Sequence, residues 1–251
     1  MPDQAHTYPQ AITVAQARAI DQWCELVWGL STLVLMEHAA TALVAQVLAL
    51  LGPGASARPH VLIVCGPGNN GGDGMAAARL LAARAVTSSV MLVGDPGLLA
   101  GDARRQWHLL GPLGDFVSIT AVRDEREVET AIGVAKAVAA RKPLVVIDAL
   151  FGTGLTRAPN GAAAEAIAEI NALHDAGTPV ISADIPSGLD ATTGLPLGAV
   201  VCATTTVTFF APKPGLLVAS AARFVGTLVV DDLGVPAGLI RRAVAAAHPA
   251  T

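Results

Sequence analysis

Charge is scarce in this chain. Only 14% of its 251 residues are Asp, Glu, Lys or Arg, against about 25% in an ordinary globular domain. Aromatic residues are scarcer still, at 4%. Basic residues fall short of acidic ones, 16 against 20, for a net charge of −4. Arg104-Arg105 and Arg241-Arg242 are isolated pairs. Without a basic stripe the chain lacks the electrostatic footprint of a nucleic-acid binder, and no such partner is expected. Cysteine occurs three times, at Cys24, Cys65 and Cys202, with no metal-ligand spacing. That excludes a zinc cluster or a disulfide framework and leaves free thiols in a reducing compartment, so a cytoplasmic location is expected. No apolar run reaches the ~20 residues of a membrane span. The first residues show no basic segment followed by an apolar one, so neither a membrane anchor nor a secretory leader is expected.

What is present is an apolar majority, 53% of residues. With so little charge to cover a surface, this implies a large core, with a subunit interface as a second way to reduce exposed surface. The order of elements argues for one domain spanning 1–251, with N-terminal helices over about 10–51 and a core over about 60–236.

One stretch organises the rest. Val61-Leu-Ile-Val-Cys65 is apolar and largely β-branched, a buried strand. Residues 75–85 are rich in Ala, Leu and Arg and predict a helix. Between them lie nine residues, five of them glycine, with Asn69, Asn70 and Asp73. Gly66, Gly68 and Gly71 match the G-x-G-x-x-G spacing of a dinucleotide-binding turn, which also reads simply as a tight strand-to-helix turn. A carboxylate at Asp73 would suit a helix start but repel a phosphate. The turn therefore looks built for hydroxyl, amide or cation character beside or instead of phosphate.

Before this stretch, Thr13 caps a predicted helix ending near Asp21, and residues 33–51 predict a second, nearly all-apolar helix, buried or in an interface. Residues 53–59 are a Gly/Pro connector. After it, strands at 90–93, 116–119, 144–147, 179–183, 204–209 and 227–230 alternate with helices at 102–110, 124–140 and 162–176. The Ala-rich end after Arg241 is expected to fray. The pattern predicts a Rossmann-like, doubly wound α/β fold: a mostly parallel sheet, helices on both faces, and extra N-terminal helices. Gly94-Asp95-Pro96 offers an acid after the second strand that could hold a ribose or form a plain turn.

In the strand order 3-2-1-4-5, strands 1, 4 and 5 end together at the switch-point crevice where ligands bind. That order gathers three polar loops: Asn69 to Asp73, Asp148 to Arg157, and Asp184 to Gly188. Asp148 and Asp184 would repel each other unless a cation lay between them. The Asn70 amide, Asp148 carboxylate and Ser187 hydroxyl are hard oxygen donors that suit an alkali or alkaline-earth ion.

These segments carry a resemblance. Asn69-Asn-Gly-Gly-Asp73, Asp148-Ala-Leu-Phe-Gly-Thr-Gly-Leu155, Asp184-Ile-Pro-Ser-Gly-Leu-Asp190 and Phe210-Ala-Pro-Lys-Pro-Gly215 resemble the motifs of the YjeF N-terminal domain family. These are the NAD(P)HX epimerases, also called apolipoprotein A-I-binding-protein-like. The likeness runs from about Thr13 to Pro236. One departure is the Leu35-Met36-Glu37 box: the family usually continues Asn-Ala-Gly, and here His38-Ala39-Ala40 follow. The resemblance implies an isomerase that interconverts the R and S forms of hydrated nicotinamide cofactors, NADHX and NADPHX. It implies substrate binding by Asn69, Asn70, Gly71, Gly72 and Asp73, by Gly152, Thr153, Gly154, Leu155, Thr156, Arg157 and Ala158, and by Asp184. It also implies a potassium ion held by Asn70, Asp148 and Ser187, and a homodimer. Many bacterial members continue into a dehydratase domain; this sequence ends soon after Gly234-Val-Pro, so that activity is absent here or belongs to a part of the protein beyond it, and an NAD(P)HX dehydratase is the expected functional partner. Asp184 is taken as the catalytic acid/base. Asp73 is taken as a helix-start residue and Asp190 as a turn residue. Two rivals stand beside this reading: an ordinary NAD-dependent oxidoreductase, and a non-catalytic nucleotide-binding or scaffold module of the same fold.

Overall fold

The structure, a computed structural model, describes residues 8–50 and 58–246. Seven strands form one sheet: β1 His60–Cys65, β2 Thr87–Val93, β3 Val117–Val122, β4 Leu144–Ala149, β5 Val180–Ala183, β6 Thr205–Phe209 and β7 Thr227–Asp231. Their order is β3-β2-β1-β4-β5-β6-β7, and every pairing is parallel. The Rossmann-like expectation holds, with strands 1, 4 and 5 side by side. The helices are α1 Val14–Trp23, α2 Thr32–Ala49, α3 Asn69–Ala82, α4 Gly101–Leu110, α5 Glu125–Val138, α6 Ala162–Asp175, α7 Ala222–Val225 and α8 Ala237–Ala246.

Side chains alternate across a strand, so each central strand feeds two cores. Val61, Ile63 and Cys65 of β1 pack with α1, α2, α3 and α8, while Leu62 and Val64 pack with α5 and α6. β1 is buried at every residue, which explains its unbroken apolar run.

Three details depart from the sequence reading. First, α3 begins at Asn69, six residues before the predicted start. The Asn-Asn-Gly-Gly-Asp run is the first helical turns and not a loop. Glycine is tolerated there because packing demands it. A Cβ on Gly71 would stand 1.8 Å from the Gly66 carbonyl oxygen, one on Gly72 2.5 Å from Met36 Cε, and one on Gly74 2.7 Å from Ala149 Cβ. Second, α2 is 18 residues long and, by length and composition alone, apolar enough to cross a membrane. Its charged and amide residues Glu37, His38 and Gln46 hid this in the sequence. Its Leu35, Met36, Ala39, Ala40, Leu43, Val44 and Val47 are buried in the core, as expected for a buried or interface helix. Third, α8 forms where a fraying end was expected. Most of the 53–59 connector, Leu51 at the end of the predicted second helix, and 247–251 lie outside the described residues. His38 packs against Gly234, whose φ is +72°.

Gly71→Ala is expected to destabilise the fold by ~1–3 kcal/mol or more, because the clash is with backbone that cannot rotate away. Chemical denaturation measures this; a stability equal to the parent's would contradict the packing of α3 on the β1 turn.

Candidate active site

A cavity of about 520 Å³ opens at the carboxyl ends of the central strands. Of the sequence candidates, Asn69, Asn70, Asp73, Gly152, Thr153, Gly154, Leu155, Thr156, Arg157 and Asp184 line it. Gly71 and Gly72 lie in the packed underside of α3, and Ala158 lies beyond the wall beside Gly198. Asp95 is remote: it accepts a hydrogen bond from Gly97 N at 2.8 Å and faces Arg123, an ordinary turn. Asp190 is likewise a turn residue, accepting from Thr192 N, Thr193 N and Thr193 Oγ1.

Asp184 follows β5 directly, at φ +63°. Ile185 N donates back to Ala183 O at 2.8 Å, closing a three-residue turn around it. Such turns at positive φ are rare and strained. The neighbouring strand repeats the device: Phe210 has φ +64°, and Ala211 N donates to Phe209 O at 2.8 Å. These turns bring Asp184 and Lys213 together. Lys213 is 1% exposed and donates to Asp184 Oδ1 at 2.5 Å, to Thr208 Oγ1 at 3.0 Å and to the Phe209 carbonyl at 3.0 Å. Thr208 Oγ1 and Phe209 N also donate to Oδ1, at 3.2 and 3.4 Å. All of these bonds hold one oxygen. Oδ2 receives none from the described residues and lies 3.4 Å from where a Gly152 Cβ would stand. Asn70 Oδ1 is 3.2 Å from the same point. Gly152 thus leaves a nook where the free carboxylate oxygen and the amide meet.

Two more carboxyl groups face this space. Asp73, the fifth residue of α3, lines the cavity and makes no capping bond, so its assignment as a helix-start residue is corrected. Burial, then the charges of Asp184 and Asp21, push its acid form well up. Asp21 of α1 also lines the cavity, and its pKa is pushed up to about 7, first by desolvation and then by Asp184, with Lys213 opposing. Neither Asp21 nor Lys213 was given a site role from the sequence, although Asp21 ends the first predicted helix and Lys213 stands in the Phe210–Gly215 motif. The signals were there: an acid on the apolar stripe of α1, and a lysine between two prolines after a buried strand.

Asp148 and Ser187 lie behind the cavity wall. Asp148 belongs to β4 itself and is fully buried. It accepts from Ser187 Oγ at 2.6 Å, Ser187 N at 2.9 Å, Ser182 Oγ at 2.8 Å and Leu150 N at 3.3 Å. Burial pushes its acid form up, against these hydrogen bonds. The repulsion expected between Asp148 and Asp184 is therefore relieved unequally: Lys213 serves Asp184, while every donor to Asp148 is neutral. Asn70 Nδ2 is buried with no hydrogen-bond partner. A buried carboxylate whose donors are all neutral, with a hydroxyl on it, is a hard oxygen pair that fits an alkali cation, while the Asn70 amide oxygen stands by the Gly152 nook beside Asp184.

A parallel sheet in this order, with an acid-lined cavity at its switch point, defines a Rossmann-type α/β protein with a ligand site. The model of the YjeF-related protein N-terminus matches residues 32–215, and the chain belongs to that family. It is 36% identical to the NAD(P)H-hydrate epimerase of Weissella koreensis over 90% of this chain and 91% of that one. It is 35% identical to the namesake of Limosilactobacillus fermentum, over 90% and 98%. The bifunctional NAD(P)H-hydrate repair enzyme Nnr of Thermofilum pendens is 36% identical, but this chain covers only 40% of it. Among solved structures, yeast ynu0 (YNL200c) shares the fold, with a TM-score of 0.67 at 21% identity over 82% of this chain and 83% of that one.

Lys213→Met should cost ~3–5 kcal/mol by leaving Asp184 buried without its cation. The double variant Lys213→Met/Asp184→Asn should recover part of that loss in a denaturant titration. Additive losses would show that the pair is not coupled.

Proposed function

We infer that this chain is an NAD(P)H-hydrate epimerase. The observation that carries the reading is the split role of Asp184: Oδ1 is fixed by Lys213, Thr208 and the backbone, while Oδ2 is left for a ligand over Gly152. The substrates are the hydrated cofactors NADHX and NADPHX, whose damaged ring carries a hydroxyl at C6 beside the ring nitrogen. Loss of that hydroxyl as water leaves a flat cation conjugated through the nitrogen. Water then adds to the other face and gives the opposite epimer. The bonding pair that leaves with the departing water is restored by the water that adds, so the oxidation state does not change and no redox partner is needed. Asp184 is the catalytic residue: its carboxylate opposes the positive charge that develops and exchanges a proton with water at C6. Asn69, Asn70 and the Gly152–Arg157 loop hold the dinucleotide. The non-catalytic reading is disfavoured because an inert module has no use for a strained, half-satisfied buried carboxylate.

A potassium ion held by Asp148, Ser187 and Asn70 would supply the charge that Asp148 lacks and stiffen the loops after β4 and β5. Leu26, Val27 and Trp28, exposed just after α1, favour a homodimer through the N-terminal helices. A dehydratase that consumes one epimer is the natural functional partner, and three unpaired cysteines fit the cytoplasm.

NMR of (R)-NADHX, with spontaneous conversion subtracted, should show enzyme-dependent appearance of the S form; no acceleration by pure protein would end the reading. Asp184→Asn should lower that rate by ~10²–10⁴-fold while still binding an unreactive NAD analogue. If Asp184→Asn stays active and Asp73→Asn does not, the roles are reversed. Activity should also require potassium and fall with Asp148→Ala; equal rates in potassium and in a bulky organic cation would remove the ion.

A further inference from the structure

We propose that Asp21, on the N-terminal helix outside the family-matched segment, is a second catalytic residue, giving a proton to the departing C6 hydroxyl while Asp184 takes one from the water that adds. The proposal rests on the epimerase reading above and deepens it.

Three observations carry it. The first is where the side chain sits. Ala17, Ile20 and Cys24 of the α1 segment are buried in the core. Asp21 lies on that inward stripe, where a helix packed on a core normally presents apolar residues. No described group donates a hydrogen bond to its carboxyl, and Lys213, the cation within reach, is bonded to Asp184. The carboxyl is only partly buried and stands at the cavity wall, open to whatever enters the cavity. The second is the shared space. Asp21, Asp184, Asp73, Lys213 and Asn70 line one cavity, and the buried Asn70 Nδ2 in its wall also lacks a partner. The third is anchoring. Thr13 Oγ1 accepts from Gln16 N at 3.2 Å, and Gln16 Oε1 accepts from Thr13 N at 2.8 Å, a reciprocal cap on α1. Just before it, Ile12 N donates to the Pro212 carbonyl at 2.9 Å, and Pro212 precedes Lys213. The helix that carries Asp21 is thus tied to the loop that carries the partner of Asp184. A proton-transfer group must be held in place, and this one is.

The step balances. The acid form of Asp21 protonates the C6 hydroxyl; the C6–O bond breaks and water leaves with the bonding pair. Water then adds to the other face of the cation, a new C6–O bond forms, and the Asp184 carboxylate takes the released proton. The reverse reaction exchanges the two roles, and solvent at the cavity mouth resets the protons between turnovers. Asp21 is suited to both roles because its acidity lies near 7, the working range of a proton-transfer group. The groups acting on it are Asp184 and Lys213. It acts in turn on Asp73 of α3 and on Cys24. Arg18, a turn earlier, also lines the cavity, and α8, packed on α1, carries Arg241 and Arg242.

The test compares wild type, Asp21→Asn and Asp21→Glu in the (R)-NADHX assay across pH, with binding of an unreactive NAD analogue measured in parallel. Asp21→Asn is expected to lose ~10²–10⁴-fold in rate with analogue binding kept, and Asp21→Glu to restore part of it. The wild-type profile should bend near 7, and Asp21→Asn should lack that bend. If wild type itself is inactive, the epimerase reading fails first. If wild type is active and Asp21→Asn keeps more than about a tenth of its rate, the proposal is overturned. It is also overturned if analogue binding falls with the rate, or if the bend survives in Asp21→Asn; either result makes Asp21 structural.

Discussion

The buried pair between Lys213 and Asp184 is the interaction on which the site depends. Burying two charges is costly, and their attraction compensates only when geometry and hydrogen bonding are good. Here both conditions are met by backbone features. Two tight turns at positive φ, one at Asp184 and one at Phe210, end adjacent strands β5 and β6. The first presents the carboxylate, and the second starts the loop that returns the lysine. Strain of this kind persists only where the surroundings hold it. The surroundings are a parallel sheet locked in register on both sides and a core that buries β5 at every residue.

A second constraint acts on the other wall. Helix α3 must start close against the end of β1 and against α2 for Asn70 and Asp73 to reach the cavity. Side chains at positions 71, 72 and 74 would prevent that. The glycines therefore serve the approach of one element to another, and a chemical role for them follows only indirectly.

This explains what was legible in the sequence. The central strands β1 and β4 were plain because each is a short apolar run, and the switch-point logic then placed three loops together without any coordinates. The start of α3 was misplaced because glycine is a poor helix former, and close packing overrode propensity. The sequence reads Asp148 as an acid of the loop after the fourth strand, facing the crevice; it is instead a buried residue of β4, satisfied by Ser182 and Ser187, which only the fold brings to it. Lys213 and Asp21 escaped for the same reason. They lie 29 and 163 residues from Asp184 in sequence, and nothing short of the fold brings either to it. Asp21 reads as an ordinary polar residue on a capped helix until the cavity shows which way its face is turned.

On the proposed mechanism, the hydrated ring sits between Asp21 and Asp184 over Gly152. A crystal structure of the protein with an unreactive NAD analogue tests it most directly. The nicotinamide ring is expected within contact of Asp184 Oδ2 and the Gly152 nook, with the rest of the dinucleotide along residues 152–157. A ring bound elsewhere, with the acid-lined cavity left to solvent, would contradict it.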